Sequence, residues 1–157
     1  MAIRRIFLEG EEVLRKVCRP VAKFDARLAE LLEDMAETMH SEQGVGLAAP
    51  QVGILRRAIV VDVGEGVIEL VNPKIVYESY ETACESEGCL SSPGEYGMVA
   101  RPVRVTCAYQ DRNGEEHEVT GEGLLARALC HECDHLDGKL FKDIAERMLD
   151  PEELEEK

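Results

Sequence analysis

The feature that most constrains this chain is a segment near its end that carries two histidines four residues apart. Residues 124–136 repeat apolar side chains at helical spacing, and the Asp-Gly pair at 137–138 is a typical helix stop. His131 and His135 lie on one face of such a helix, about 40° apart, so both imidazoles can reach one metal ion. Glu132 falls beside that face, where it can exchange protons with water without being a ligand.

The same helix has a second, apolar side. At about 100° per residue, Leu124 and Ala128 lie on the same face as His131 and His135, one to two turns before them. The opposite side collects Leu125, Leu129, Cys133 and Leu136. Cys130 and Cys133 form a C-x-x-C pair, but both point away from the metal direction, so packing is expected of them rather than redox chemistry. The segment Thr120–Gly123 is taken as the start of the helix, which we expect to be central.

The remaining pattern indicates an α+β fold. An amphipathic helix runs from Phe24 to Met39, with Asp25 placed to cap its first turn. Strands are expected at 58–63, 67–71, 74–77 and 103–109, the last joined by a turn at 111–114 to 115–119, and short helical turns at 11–15 and after Phe141. The expected architecture is antiparallel β-sheets packed around a central C-terminal helix, with a second amphipathic helix near the N-terminus.

Composition narrows the class of protein. With 157 residues, 45% of them hydrophobic, the chain is expected to form one domain over residues 1–157. A net charge of -14 argues against binding nucleic acid through a basic surface. The basic residues of 1–8 are followed by no long apolar run, so a signal peptide is not expected. Nowhere are about 18 apolar residues consecutive, so a membrane span is not expected either. The six cysteines are then expected to be reduced thiols in a cytosol.

Two further segments are rich in turn-forming residues. Residues 41–53 contain Gly44 and Gly46, which allow a sharp turn or a close approach to the backbone. A dinucleotide fingerprint is the alternative, but that motif must follow a strand and open a helix, and here it follows a helix. In residues 85–94, which cannot be a regular core strand along their whole length, Cys89 could complete a Cys-His-His metal site with an open fourth position. Alternatively, Cys89 is a small buried residue.

Three motifs together resemble the peptide deformylase family. They are Gly44-Val45-Gly46-Leu47-Ala48-Ala49-Pro50-Gln51, Glu87-Gly88-Cys89-Leu90-Ser91 and His131-Glu132-Cys133-Asp134-His135. The resemblance implies removal of the formyl group from the N-terminal formylmethionine of nascent peptides, with release of formate. It also implies that Cys89, His131 and His135 bind the metal, that Glu132 exchanges protons with the bound water, and that Gln51 and the Leu90 N–H stabilise the developing oxyanion.

Elementary chemistry agrees with these implied roles. An amide resists water because the nucleophile is weak and the tetrahedral anion is unstable. A bound cation lowers the pKa of water towards 7 and polarises the carbonyl. Two fixed donors would stabilise the anion, each by about 3 kcal/mol by analogy with a known hydrolase. Glu132 can then pass the proton to the leaving nitrogen.

The substrate contacts are expectations of the same kind. The backbone at Gly44, Val45 and Gly46 would pair with an extended peptide as a strand does. Leu124 and Ala128 would line a pocket for the methionine side chain. Arg127 has two open interpretations: it edges this pocket, or it pairs on the surface with an acid such as Asp134.

The chain departs from the family pattern at Cys130, at residues 95–97 and in its acidic tail. Cys130 stands where Gln is common, and residues 95–97 lack an Arg that some members use. Asp134 is expected to be held by a basic residue, with Arg101 as the candidate. The acidic tail from Asp150 to Glu156 would repel ribosomal RNA, so transient ribosome association is expected without a basic C-terminal helix.

The metal and the location follow from the resemblance. One divalent metal is expected per chain, Fe(II) in the cell, with Zn, Ni or Co as replacements, and thiolate and imidazole ligands suit all four. N-formylmethionyl nascent peptides are the expected partner, in the cytoplasm of a bacterium, with an organelle as the alternative. DNA and membranes are not expected partners, and the oligomeric state is left open.

Two rival functions use the same histidines. An HExxH metallopeptidase usually takes its third ligand downstream, but the acids that follow His135, such as Glu146 and Glu152, look like a solvated tail. A structural metal site in an acidic binding module would normally fill all four positions with Cys or His, and the sequence offers three.

Overall fold

The computed structural model describes residues 2–155. Its α-helices are α1 (Ala26–Ser41), α2 (Leu124–Leu136) and α3 (Pro151–Glu155), and its 3₁₀ turns are Glu12–Arg15, Ala49–Val52 and Phe141–Asp143. The Asp25 side chain accepts a hydrogen bond from the Leu28 N–H at 3.1 Å, so the predicted cap of the early helix is confirmed. The late helix ends at the predicted stop.

Within residues 2–155, eight strands form two antiparallel sheets. In chain order they are β1 (Gly46–Ala48), β2 (Ala58–Val61), β3 (Ile68–Glu78), β4 (Thr82–Cys89), β5 (Ser92–Pro102), β6 (Arg104–Gln110), β7 (Glu116–Glu122) and β8 (Arg147–Met148). The larger sheet has the order β1-β2-β3-β6-β7, and the smaller one has the order β4-β5-β8. β1 is therefore an edge strand of the larger sheet.

Helix α2 is central, as its two-sided pattern predicts. Leu129 and Leu136 are fully buried and pack in one core cluster with apolar residues of β2, β3 and β6. Leu125 and Cys133 pack against the same cluster. Helix α1 buries Leu32, Met35 and Met39 in a second cluster over the other face of β1 and β2. The predicted α+β fold, with antiparallel sheets around a late helix, is confirmed.

The two strands expected at 67–71 and 74–77 are one strand, so the predicted break between them, at Asn72-Pro73, is wrong. Strand β3 continues through these residues, although its pairing with β6 shifts between Val71 and Lys74. Asn72 adopts a positive φ of 50°, and its side chain accepts from the Val21 N–H at 2.8 Å. Since proline has no N–H for the ladder, the strand bulges here and resumes instead of ending.

Residues 120–122, expected to start the late helix, belong to β7, so this helix starts directly after Gly123. The turn-rich segment at 85–94 is not a strand along its whole length, as expected: β4 and β5 are joined through residues 90–91, and their register shifts next to this turn. The acidic tail contains the short helix α3, and Glu156 of that tail lies outside the described residues. Within residues 2–155, no helix is long and apolar enough to cross a membrane.

Candidate metal centre

Three metal-type donors converge on one face of α2. The helix supplies His131 and His135, and the last residue of β4 supplies Cys89. One ligand atom from each lies within 4.8 Å of the other two, and the Cys89 Sγ is 3.3 Å from the His135 Nε2. Both histidines are buried and Cys89 is half-buried. The structure thus brings together the three residues that the sequence predicts as ligands.

Cys89 reaches the histidines because the ladder between β4 and β5 is irregular at its end. Gly88 lies opposite Tyr96, and the register then shifts so that Cys89 lies opposite Ser92. An added Cβ at Gly88 would lie 2.6 Å from a ring carbon of Tyr96, so glycine lets the strands close at this point. The chain then reverses at 90–91, which places the thiol at the end of the hairpin.

Glu87 is a buried carboxylate whose role the sequence reasoning missed. Its Oε2 accepts from the His131 Nδ1 at 2.6 Å, and Arg101 donates to both oxygens, at 3.1 and 2.7 Å. Burial alone would raise the pKa of this carboxyl, but the hydrogen bonds from His131 and Arg101 lower it to about 2. An ionised acceptor on Nδ1 fixes the tautomer and leaves Nε2 free for a metal. The sequence did contain a signal for this role: Glu87 lies two residues before Cys89, and residues two apart on a strand share a face.

Glu132 lies beside the three candidate metal ligands, and one of its carboxylate oxygens is not engaged in a hydrogen bond with any described residue. Its side chain is buried, and its Oε1 has no hydrogen-bond partner among the described residues. Burial raises the pKa of Glu132 to about 7, against the opposing effect of His131. An added Cβ at Gly46 would lie 2.5 Å from the Glu132 Oε2, so the glycine of the first motif makes room for this carboxylate. The predicted close approach to the glycine-rich backbone is thus made by Glu132.

The Gln51 amide is oriented by its neighbours. Its Oε1 accepts from the Ala48 N–H at 3.0 Å, and its Nε2 donates to the Ser91 hydroxyl at 3.0 Å. The same Nε2 lies 3.5 Å from the Cys89 Sγ. Since the amide oxygen of Gln51 is held by the backbone, its NH₂ group is the end that faces the candidate metal ligands.

An open cavity of about 440 Å³ lies in front of the donors. Its lining includes every residue that the sequence assigns to substrate contact or to the oxyanion: Gly44, Val45, Gly46, Gln51, Leu90, Leu124, Arg127 and Ala128. Leu90 follows Cys89 and packs on the first motif, since an added Cβ at Gly44 would lie 2.8 Å from its Cδ1. The side chains of Val45 and Leu124 are 40% and 52% exposed, so the cleft offers apolar surface to a ligand.

The two arginines near the site are both buried. A surface pair between Arg127 and Asp134 is wrong, because Arg127 donates to Glu87 at 3.0 Å and to two backbone carbonyls. Asp134 instead accepts from the Arg101 Nη1 at 2.8 Å, which is the contact that the sequence predicts. Together the two guanidinium groups hold the carboxylate that in turn holds His131.

The other thiols lie away from the donors. All six cysteines are free, and Cys130 is buried in the core, where desolvation raises the pKa of its thiol to about 12. Cys133 packs against the same core cluster, and its hydrogen bond with Cys107, together with burial, raises the pKa of its thiol. Both residues of the C-x-x-C pair therefore act in packing, as their helical positions predict.

The donor set fits a divalent transition metal. One thiolate and two imidazoles suit Zn, Fe, Co or Ni, and three protein ligands are the number found in catalytic sites that keep one position open. The carboxylate beside that position has an unpartnered oxygen, as described for Glu132. The residues present therefore match both the ligand chemistry and the need for a nearby base.

Comparisons with known proteins agree with this geometry. Residues 3–150 match the family model described as polypeptide deformylase. The chain is 58% identical over 155 residues to a peptide deformylase of Caldanaerobacter subterraneus subsp. tengcongensis, covering 99% of this chain and 97% of that protein. A crystal structure of the Thermotoga maritima peptide deformylase superposes with a TM-score of 0.89 at 45% identity, covering 91% of this chain and 97% of that one. The Synechococcus elongatus enzyme in complex with actinonin gives 0.87 at 42% identity, over 96% of this chain and 81% of that one.

Proposed function

The chain belongs to the polypeptide deformylase family and is a hydrolase that deformylates nascent peptides, and we propose that it does so with a divalent metal and with Glu132 as the proton-transfer group. The substrate is the formyl group on the N-terminal methionine of the peptide, and the products are formate and a free amino terminus. The observation that supports this mechanism most strongly is the convergence of Cys89, His131 and His135 beside the unpartnered oxygen of Glu132.

Cys89, His131 and His135 would hold the metal, and Glu87 would keep the His131 ring in the tautomer that this requires. The bound ion would supply positive charge that acidifies water and polarises the formyl carbonyl. Arg101 and Arg127 keep Glu87 ionised and in place through three hydrogen-bonding nitrogens. The chain's own contribution is therefore a prearranged set of ligand atoms.

Glu132 moves the proton. With a pKa raised to about 7 by burial, its carboxylate can accept a proton near neutral pH and give it up again. It takes the proton from the attacking water and returns it to the amide nitrogen as the C–N bond breaks. The Gly46 backbone packs against this side chain and limits where the carboxylate can lie.

Gln51 and the Leu90 N–H stabilise the negative charge that develops on the formyl oxygen. The Gln51 NH₂ is already turned towards the donors by its bonds to Ala48 and Ser91. A donor that is oriented before the substrate arrives stabilises the transition state without reorganisation. Leu90 is suited to the same task because it follows the ligand Cys89 in the tight turn.

The peptide lies along the outer edge of β1. This strand ends the larger sheet, so its outer edge can pair with an extended chain. The backbone of Gly44, Val45 and Gly46 supplies the hydrogen bonds. The unbranched methionine side chain enters the cavity between Leu124 and Ala128, with Arg127 at its edge.

Fe(II) is the proposed resident ion, with Zn, Ni or Co as replacements, because the family resemblance implies iron and the ligand set suits all four. The proposed location is the bacterial cytoplasm, where formylated nascent peptides are made. The C-terminal helix α3 carries Glu152, Glu153 and Glu155, so ribosome association through a basic C-terminal helix is not part of this proposal.

A formate-release assay tests the function. The protein is loaded with Fe(II) without oxygen and mixed with a short formyl-Met peptide, and the metal content is measured on the same sample. We expect formate to be released with one metal per chain, and none from the unformylated peptide. Activity should fall in air, since an iron thiolate is oxidisable, and return on anaerobic iron. No formate with any divalent metal would contradict the proposal.

A further inference from the structure

The arginines of this acidic chain are distributed unevenly between paired and unpaired positions. All twelve lie in the described part of the chain, and nine of them form ion pairs with acidic side chains. The three without an ion pair in residues 2–155 are Arg19, Arg27 and Arg56. All three line one groove, together with Lys23, which also has no ion pair in that part of the chain. We call the four residues the cationic rim.

The groove is large and lies apart from the metal centre. It has a volume of about 840 Å³ and shares no lining residue with the cavity in front of the donors. Its floor includes Val21, Leu28 and Leu31, which are all nearly buried, whereas the four rim residues are exposed. The site is thus an open trough with an apolar floor and a positive edge.

The backbone holds two of the rim charges side by side. Arg19 and Arg56 form an isolated β-bridge, supported by a hydrogen bond from the Arg57 N–H to the Arg19 carbonyl at 3.0 Å. Like charges placed opposite each other on neighbouring strands are destabilising. The next residue, Arg57, pairs instead with Asp137 at 3.1 Å. Two adjacent arginines therefore differ: one is neutralised within the fold, and the other is left at the groove.

The acids near the groove do not neutralise the rim. Asp25 lines the groove, but its carboxylate is engaged in capping α1. Asp34 pairs with Arg4, the fifth cation of the lining, at 2.8 Å. Glu30 also lines the groove and forms no ion pair with any described residue. The net charge of -14 is a sum over the whole chain, whereas the edge of this groove is locally positive.

We propose that this groove binds the phosphodiester backbone of RNA. Guanidinium groups match phosphate oxygens in pairs, and a row of phosphates supplies one negative charge per nucleotide along a concave path. A bilayer would need a flat face, whereas this surface is a trough. The choice of RNA over an acidic peptide rests on the proposed function, because the nascent chains that the enzyme processes are attached to RNA.

The test measures binding of a labelled single-stranded RNA of about 20 nucleotides by fluorescence anisotropy, without peptide substrate. If four cations contact phosphates, affinity should fall about 50-fold between roughly 50 and 200 mM salt. Arg19→Gln with Arg56→Gln should weaken binding at least about 10-fold and flatten the logarithmic salt slope by about 1.4. The matched control is Lys74→Gln with Lys139→Gln, which removes the same net charge and should leave affinity unchanged. These two lysines lie outside the groove and form no ion pair with any residue of 2–155.

Two comparators make the test specific. A polyglutamate peptide of matched charge and vesicles containing an anionic lipid should each bind more weakly than the RNA. Equal or tighter binding by either comparator, no RNA binding at low salt, or an equal loss in both double variants would overturn the proposal. Formate release should be unchanged in the groove variant, which leaves the metal centre intact. Since RNA binding is read without substrate, failure of the formate assay would be a separate result.

Discussion

Among the described residues, two clusters of candidate metal ligands differ in structure. They are Cys89, His131 and His135, here called the buried cluster, and Asp111, Glu115 and His117, here called the exposed cluster. In each, the candidate ligand atoms lie within 4.8 Å of one another. The buried cluster joins a strand end to a helix more than 40 residues away along the chain, whereas the exposed cluster lies around one hairpin turn.

The difference lies in what the donor atoms already do. In the exposed cluster, Asp111 accepts from His117 at 2.7 Å and from the N–H groups of Asn113 and Glu115 at 2.9 and 3.0 Å, so its carboxylate closes the turn. In the buried cluster, Glu87 accepts from the His131 Nδ1 and the Gln51 Nε2 lies 3.5 Å from the Cys89 Sγ, so these contacts come from outside the ligand set. The His135 Nδ1 has no hydrogen-bond partner among the described residues. Proximity of ligand atoms is therefore a weak criterion for a catalytic metal site. Such a site also needs buried ligands, hydrogen bonds that orient them, and a neighbouring group that is free to react.

The largest expected effect comes from removing the sulfur ligand of the buried cluster. Cys89→Ala should abolish stoichiometric metal binding and reduce formate release to background, because two imidazoles alone leave the ion without its thiolate. Cys84→Ala is the matched control: it changes an exposed cysteine on the same strand and should keep both properties. Metal analysis and formate release are measured on both. A Cys89→Ala protein that retains its metal would show that the Cys89 thiolate is not a required ligand, which would contradict the role given to the buried cluster.

Glu132→Gln separates metal binding from proton transfer. The variant keeps the size of the side chain but cannot accept a proton, so formate release should fall about 100- to 10,000-fold. The metal content should stay the same, because Glu132 is not a ligand in this account. Steady-state kinetics and elemental analysis give the two readouts. An unchanged rate would remove Glu132 from the mechanism.

Glu87→Gln tests the support of the buried cluster. Metal affinity should fall about 10- to 100-fold, because His131 loses its ionised acceptor. In the metal-free protein the folded pKa of about 2 lies below the usual value, so Glu87 stabilises the fold above pH ~4.5. That contribution, on the order of 3 kcal/mol, should disappear as the pH falls towards 2. Urea unfolding of both proteins checks whether their difference narrows in this direction.

The smallest effect is expected in the exposed cluster. Asp111→Ala should leave metal content and formate release unchanged, since the turn holds no functional ion in this account. Amide exchange of Asn113 and Glu115 should become faster, because their N–H groups lose the Asp111 acceptor. Hydrogen exchange by mass spectrometry or NMR reads this directly. A loss of formate release would show that the two clusters are not functionally distinct.

Periodicity was enough to predict the parts of the fold that bury one face. The spacing of α2 placed both histidines, the apolar wall and the packing cysteines, because a helix fixes which residues share a face. The spacing of α1 predicted its buried methionines for the same reason. The break expected at Asn72-Pro73 was wrong because the tertiary contact between Asn72 and Val21 stabilises a bulge, which local residue preferences do not encode.

The site residues that belong to a motif could be predicted from the sequence, whereas those whose role depends on long-range contacts could not. Cys89 was found because a lone thiol stood in a turn-rich segment that the family resemblance singles out. The role of Glu87 depends on Arg101 and Arg127, which are 14 and 40 residues away in the chain. Arg101 meets Glu87 when β4 pairs with β5, and Arg127 meets it only after this hairpin packs on α2. The alternatives left open for Arg127 could be narrowed only once its burial was known.

The most direct test of the central claim is X-ray absorption at the metal edge of the zinc- or cobalt-loaded protein. We expect one sulfur at about 2.3 Å and two imidazole nitrogens at about 2.0–2.1 Å, with the remaining position held by a light, exchangeable ligand. Cys89→Ala, which should not retain stoichiometric metal, should give no spectrum of a protein-bound ion with a sulfur ligand. A wild-type spectrum without sulfur, or with four protein ligands, would contradict the account.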